Sequence, residues 1–200
     1  MVTTDDRDRR LVESAAKYRP PFVLDPTLAL YCPQDNVDAL THPAIAAWFD
    51  FVLKEYTPAL PAARRHVLLL LPCTATKPYI LSTEHKRINA ALLAAGFAPT
   101  APADPLLLGL REEGEAEALF SLAPLLHPSG ICLHRAVISE PLGLVPYEHM
   151  LRYPGGVSPA VMYDDPGLFE ERGNAVSPWR ADHSATRLSA TRWKWGPNEK

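Results

Sequence analysis

Hydrophobic and polar positions along this chain switch between a helical period and short continuous apolar runs. Asp5 to Tyr18 reads as a short, mostly polar helix ended by Arg19-Pro20-Pro21. Pro21 to Leu40 is punctuated by proline and keeps no period, which predicts a loop lying on the body. Thr41-His42-Pro43 supplies a helix start, with Thr41 or His42 as cap and proline in the first turn. Ile45, Phe49, Val52 and Tyr56 follow at helical spacing, and Pro58 and Pro61 end the element. His66 to Leu71 is a continuous apolar run between breakers, the pattern of a strand covered on both faces. The loop Pro72 to Leu81 comes next, and Ser82 caps a helix from Thr83 to Ala95 that Gly96 stops. Pro105 to Leu110 reads as a second strand. Glu112 to Leu126 reads as an amphipathic helix interrupted near Pro124. Ile131 to Ser139 reads as a third strand, followed by a loop from Glu140 to Pro146.

This alternation predicts a single α/β domain with a largely parallel sheet and helices on both faces. The strand ending at Leu71 is expected to be central and flanked by the strand ending at Ser139. Residues 1–40 are expected to form a helix and a proline-rich loop packed on the body. A catalytic-type domain would span 41–183 and a tail 184–200.

Composition adds limits. The chain has 200 residues, 47% hydrophobic and 22% charged, enough for one globular domain with a core. Its net charge of −3 excludes a global basic field for holding nucleic acid. Its 21 prolines are roughly twice the usual share, so many connections must be rigid. Cys32, Cys73 and Cys132 form no CxxC pair, which argues against a thiolate metal site and for reduced thiols. The start, MVTTDDRDRR, is unlike a signal peptide, and no apolar run is long enough to cross a bilayer. A cytoplasmic, soluble protein without membrane contact is the expectation.

In open α/β sheets, ligands bind beyond the carboxyl ends of strands. Two loaded loops leave strands there, one from Pro72 to His85 and one from Ser139 to Glu148. Cys73 fits two accounts equally. A nearby cation or helix N-terminus would make it a nucleophile, or it is a small apolar filler. Lys77 is either a solvated surface lysine or an anion holder, base or amine nucleophile. His85, in a helix first turn, is held neutral and able to act as a base, or is an ordinary surface histidine. Tyr79 offers a ring for a planar base or covers the core edge. Glu148 pairs with Lys77, reads donors on a ligand, or is solvated. Cys132 and His134 lie within a strand and read as core.

Pro72, Cys73, Lys77, Pro78, Tyr79, Ser82 and His85 spell P-C-x3-K-P-Y-x2-S-x2-H. This segment resembles the signature of archaeosine synthase, a family related to archaeal tRNA-guanine transglycosylases, and the domain is similar to the DUF5591 type. The segment Ser139 to Glu148, which includes Gly143, and the pairs Tyr153-Pro154 and Tyr163-Asp164 extend the likeness over Val67 to Trp179. The resemblance implies amine transfer to the nitrile of a cyano-deazaguanine, with no metal or cofactor. Cys73, Lys77 and His85 would be catalytic; Pro72, Tyr79, Ser82, Gly143 and Glu148 would bind substrate. The acceptor would be a modified base in tRNA or DNA, or a free base. Free lysine or another amine would be the donor, and a separate tRNA-binding subunit is a further partner. The archaeal enzymes also carry transglycosylase-like and RNA-binding modules for which this chain has no room. Two other readings stand beside this one: a nucleoside or nucleotide glycosylase or deoxyribosyltransferase, and a non-catalytic base- or tRNA-binding subunit.

Overall fold

The computed structural model describes residues 4–30 and 33–164. Cys32 and the expected tail at 184–200 lie outside the described residues. The helices are α1 (Thr4–Ala15), α2 (Pro33–Asp38), α3 (Pro43–Asp50), α4 (Thr83–Ala94) and α5 (Pro105–Leu108). The strands are β1 (Arg65–Pro72), β2 (Ala98–Pro99), β3 (Leu125–His127), β4 (Ile131–Ser139) and β5 (Gly143–Pro146), with a small hairpin of β6 (Arg152–Tyr153) and β7 (Gly156–Val157).

Local chemistry sets most of these boundaries. The His42 imidazole accepts the Ala44 amide at 3.2 Å, and Pro43 opens α3. α3 runs into one π-turn, Phe51–Glu55, closed by the Tyr56 amide on the Phe51 carbonyl. Ser82 Oγ accepts the His85 amide at 3.2 Å and starts α4. Gly96, at a φ of +95°, ends that helix.

Two expected elements are replaced. Pro105 to Leu110 is not a strand: the Asp104 carboxylate accepts the Leu106 amide at 2.9 Å and Pro105 occupies the first turn, which makes α5. Glu112 to Leu126 is not a helix either. It holds a turn at Gly114, whose φ is +85°, and a 3₁₀ turn at Glu117–Phe120. Past Pro124 the chain is captured as β3. Pairing with β4 outweighed the amphipathic period.

The α/β class holds, but the sheet is mixed. Its order is β1-β4-β3-β2, with β5 also on β4. Only β1 and β4 run parallel; β3 on β4, β2 on β3 and β5 on β4 are antiparallel. β4 is therefore the central strand, and β1, expected there, is at the edge. Leu68 and Leu70 of β1 and Ile138 of β4 share one sheet face and are 54%, 49% and 54% exposed. Among the described residues no helix covers that stretch of the face. The four-leucine run has a neighbouring strand on one side only, so its hydrophobicity is not spent within the described residues.

The core lies on the opposite face, against Leu71 and Val137. It joins Trp48, Phe51, Tyr79, Ile80, Tyr147, Met150 and Tyr163. Trp48 also donates to the Leu142 carbonyl at 3.2 Å, tying α3 to the second loop. The N-terminal segment belongs to this body. Asp164 accepts from Ser14 Oγ and Lys17 Nζ at 2.7 and 2.6 Å, and its carbonyl accepts the Leu30 amide. Among the described residues no helix is long and apolar enough to cross a membrane.

Candidate functional site

The parallel pairing of β1 and β4 sets Pro72 opposite Ile138, so both strands deliver their loops to one sheet edge. Gly143 pairs with Ser139 at the turn into β5, which brings Cys73 and Gly143 to that same edge. Gly143 has a φ of +70°, and a Cβ there would sit 3.4 Å from the Phe49 ring, so glycine suits the turn on both counts. Both loops contain a cis X–Pro bond, Lys77-Pro78 and Glu140-Pro141.

Lys77 is not a solvated lysine. It is 2% exposed, and Nζ donates to the Thr74 carbonyl at 2.7 Å. The ammonium lies 4.7 Å from the ring centres of both Tyr79 and Tyr163. The Tyr79 hydroxyl bonds Ser139 Oγ at 2.8 Å and the Tyr163 hydroxyl at 2.6 Å, and Ser139 and Tyr163 also touch. A buried cation is costly unless held by such partners, so this cage fixes the loop as well as the charge. Tyr79 is fully buried and its ring faces the lysine, the core-edge account of that residue.

His85 is fully buried, and both ring nitrogens are engaged. Nε2 lies 3.0 Å from the Pro72 carbonyl and Nδ1 lies 2.7 Å from the Tyr147 hydroxyl. A carbonyl only accepts, so Nε2 carries the proton and Nδ1 accepts from Tyr147. Burial pushes the His85 pKa down, which keeps the ring neutral. Burial likewise pushes the Tyr147 phenol up to about 12, so it stays a donor. The chain of contacts continues inward. The Arg135 guanidinium lies 4.3 Å from the centre of the Tyr147 ring. It donates to Asn89 Oδ1 at 2.7 Å and to the Ser121 and Ala123 carbonyls at 2.8 Å. Burial lowers the Arg135 pKa to about 10, which still leaves it charged.

These contacts separate the expected site residues by role. Pro72, Lys77, Tyr79, Ser82 and His85 come together at one edge, chiefly as a buried frame. Cys73 is exposed, beside an equally exposed Pro72. Cys132 is buried, and burial raises its pKa. Glu148 turns elsewhere: its carboxylate accepts from Tyr56 at 2.8 Å, and its charge falls on His134 and Arg135.

Arg135 and Asn89 went unnoticed in the sequence, where an arginine in a strand core carries no signal. A cleft of about 420 Å³ lined by Thr27, Asp35, Asp38, Thr41 and His42 also had none. Cys132 and His134 are buried, as their strand position implied, but they meet His66 with ligand atoms within 4.8 Å of one another. The C-x-H spacing on β4 was the available sign, because alternate strand residues share a face.

No curated protein and no solved structure matches the chain. Residues 45–102, which contain the whole Pro72 to His85 segment, match the family described as a domain of unknown function, DUF5591.

Proposed function

We propose that this protein modifies a deazaguanine-type nucleobase by transferring an amine to its nitrile. One observation supports the reading: the seven residues of the Pro72 to His85 signature meet at one sheet edge, and Cys73 is the nucleophile-bearing member exposed to solvent there. The Cys73 thiolate adds to the nitrile carbon. One C–N π bond breaks, a C–S bond forms, and the nitrogen takes a proton to give a thioimidate. The incoming amine then bonds to that carbon, and the C–S bond breaks. An amidine is released and the thiol recovers its proton. The chemistry needs neither oxidant nor reductant.

Lys77, on the same loop, supplies the positive potential that favours the thiolate and the proton-bearing steps. His85 acts as a positioning residue, because its bond to the Pro72 carbonyl fixes the residue before the thiol. Gly143 leaves the opposite loop low at the edge where a planar base would lie. The acceptor class, a base in tRNA or DNA or a free base, follows from the resemblance to archaeosine synthase, as do free lysine or another amine as donor. The burial of Lys77, Tyr79 and His85 favours a second reading, a base- or tRNA-binding subunit in which the signature only shapes the loop. Mass spectrometry of tRNA and DNA nucleosides from cells with and without the gene tests both. The enzyme reading expects an amidine or lysine adduct to vanish and its nitrile precursor to accumulate. A genuine subunit of a larger enzyme would give the same loss with Cys73→Ala fully active, whereas the enzyme reading requires that variant to fail.

A further inference from the structure

We propose that His66, Cys132 and His134 form a binding site for a zinc-class divalent ion, with three protein ligands and a fourth position open to water. The parallel register of β1 and β4 sets His66 opposite Cys132, and His134 follows two residues on, on the same face. His66 Nδ1 lies 3.0 Å from His134 Nε2, and Cys132 Sγ lies 3.6 Å from the same nitrogen. Zinc bond lengths of about 2.05 Å to nitrogen and 2.3 Å to sulfur, at tetrahedral angles, place two nitrogens about 3.3 Å apart and sulfur and nitrogen about 3.6 Å apart. The two distances to His134 Nε2 are thus within a few tenths of an ångström of that geometry, and with all three ligand atoms inside 4.8 Å, His66 and Cys132 have to close on each other by at most about 1.2 Å.

Hydrogen bonding alone serves this cluster poorly. His66 Nδ1 and Cys132 Sγ converge on the single nitrogen His134 Nε2, and a proton on Nε2 can serve only one of them. A cation satisfies all three lone pairs at once, and binding releases the Cys132 thiol proton to solvent. Two imidazoles and a thiolate favour zinc or its neighbours over calcium or magnesium. His66 is exposed, so the open position faces solvent. The site lies five residues back along β4 from Ser139, roughly 17 Å from the loop edge, and is independent of the proposed reaction.

The test titrates the metal-free, reduced full chain with Co²⁺ and then displaces it with Zn²⁺ against a chromophoric chelator. The expected result is one ion per chain, with tetrahedral visible bands and a thiolate-to-cobalt band. Cys132→Ser should remove the thiolate band. His66→Ala, an exposed edge position that spares the fold, should weaken Zn²⁺ at least about 10–100-fold, the loss that even an outer-shell change causes. Cys73→Ser should leave both signals intact. A thiolate band lost with Cys73→Ser, unchanged Zn²⁺ affinity in His66→Ala, or no stoichiometric ion in the wild type would overturn the assignment.

Discussion

Replacing His85 by phenylalanine keeps the volume of the ring and removes both of its polar contacts. The Tyr147 hydroxyl, buried with its residue, then loses its acceptor. An unsatisfied buried group costs about 1–3 kcal/mol. The Pro72 carbonyl belongs to an exposed residue and can recruit water, so its loss is nearer the net worth of one hydrogen bond, about 0.5–1.5 kcal/mol. Together these give a destabilisation of about 1.5–4.5 kcal/mol, read from urea unfolding at pH 7.

The same substitution changes the pH dependence, with a fixed sign. The folded His85 pKa lies below the unfolded value of about 6.5. Below that pH the unfolded chain binds a proton that the folded chain refuses, so stability falls with acidification until the folded value is reached. The slope attributable to this residue is at most about 1.4 kcal/mol per pH unit. His85→Phe should lose that component, and the wild-type and variant stability curves should converge as pH drops from 6.5. Parallel curves, or a loss below about 1 kcal/mol at neutral pH, would refute the engaged, neutral histidine.

Cys73 should be the faster of the two described thiols to alkylate at neutral pH, because Cys132 is buried with a raised pKa; peptide mapping after a short iodoacetamide pulse reads the order. Leu70→Lys, on the open face of edge strand β1, should change stability by no more than about 0.5 kcal/mol, whereas a core leucine would cost 2–5. It should also reduce self-association in light scattering, since a charge blunts an apolar edge. Arg135→Met should destabilise by about 3–5 kcal/mol in the same urea assay, because Asn89 and two carbonyls lose their donor.

Local signals were legible and partner-dependent ones were not. β4 spans the same residues its apolar run marks, Ile131–Ser139, and α4 begins on the Ser82 cap and ends at Gly96. Those features depend on neighbours in sequence. The rank of the strands depends on who pairs with whom: HVLLLL reads as central, yet β4, with a histidine and an arginine in its middle, has neighbours on both sides. Its polar residues are tolerated there because the Arg135 guanidinium finds three acceptors, supplied by α4 and by the loop after Phe120. The cage around Lys77 needs Tyr163, which the Tyr163-Asp164 pair flagged only as a likeness. The His66 and His134 contact joins residues 68 apart through strand register, which no local spacing encodes. α5 shows a different failure, since Asp104-Pro105 is a helix start that the apolar run after it concealed.

The most direct test of the proposed function is turnover of a nitrile-bearing deazaguanine, presented as free base, nucleotide and tRNA, with lysine or ammonium as donor. The purified full chain, Cys73→Ala, Lys77→Arg and Lys77→Ala would be compared by mass spectrometry of the product. An amidine or lysine adduct should form with the wild type on at least one acceptor. Cys73→Ala should abolish it, and both Lys77 variants should lose roughly 10²–10⁴-fold in rate, because alanine removes the charge and arginine's bulkier guanidinium does not fit the cage of Tyr79 and Tyr163. No adduct from the wild type on any acceptor, or wild-type turnover by Cys73→Ala, would contradict the account.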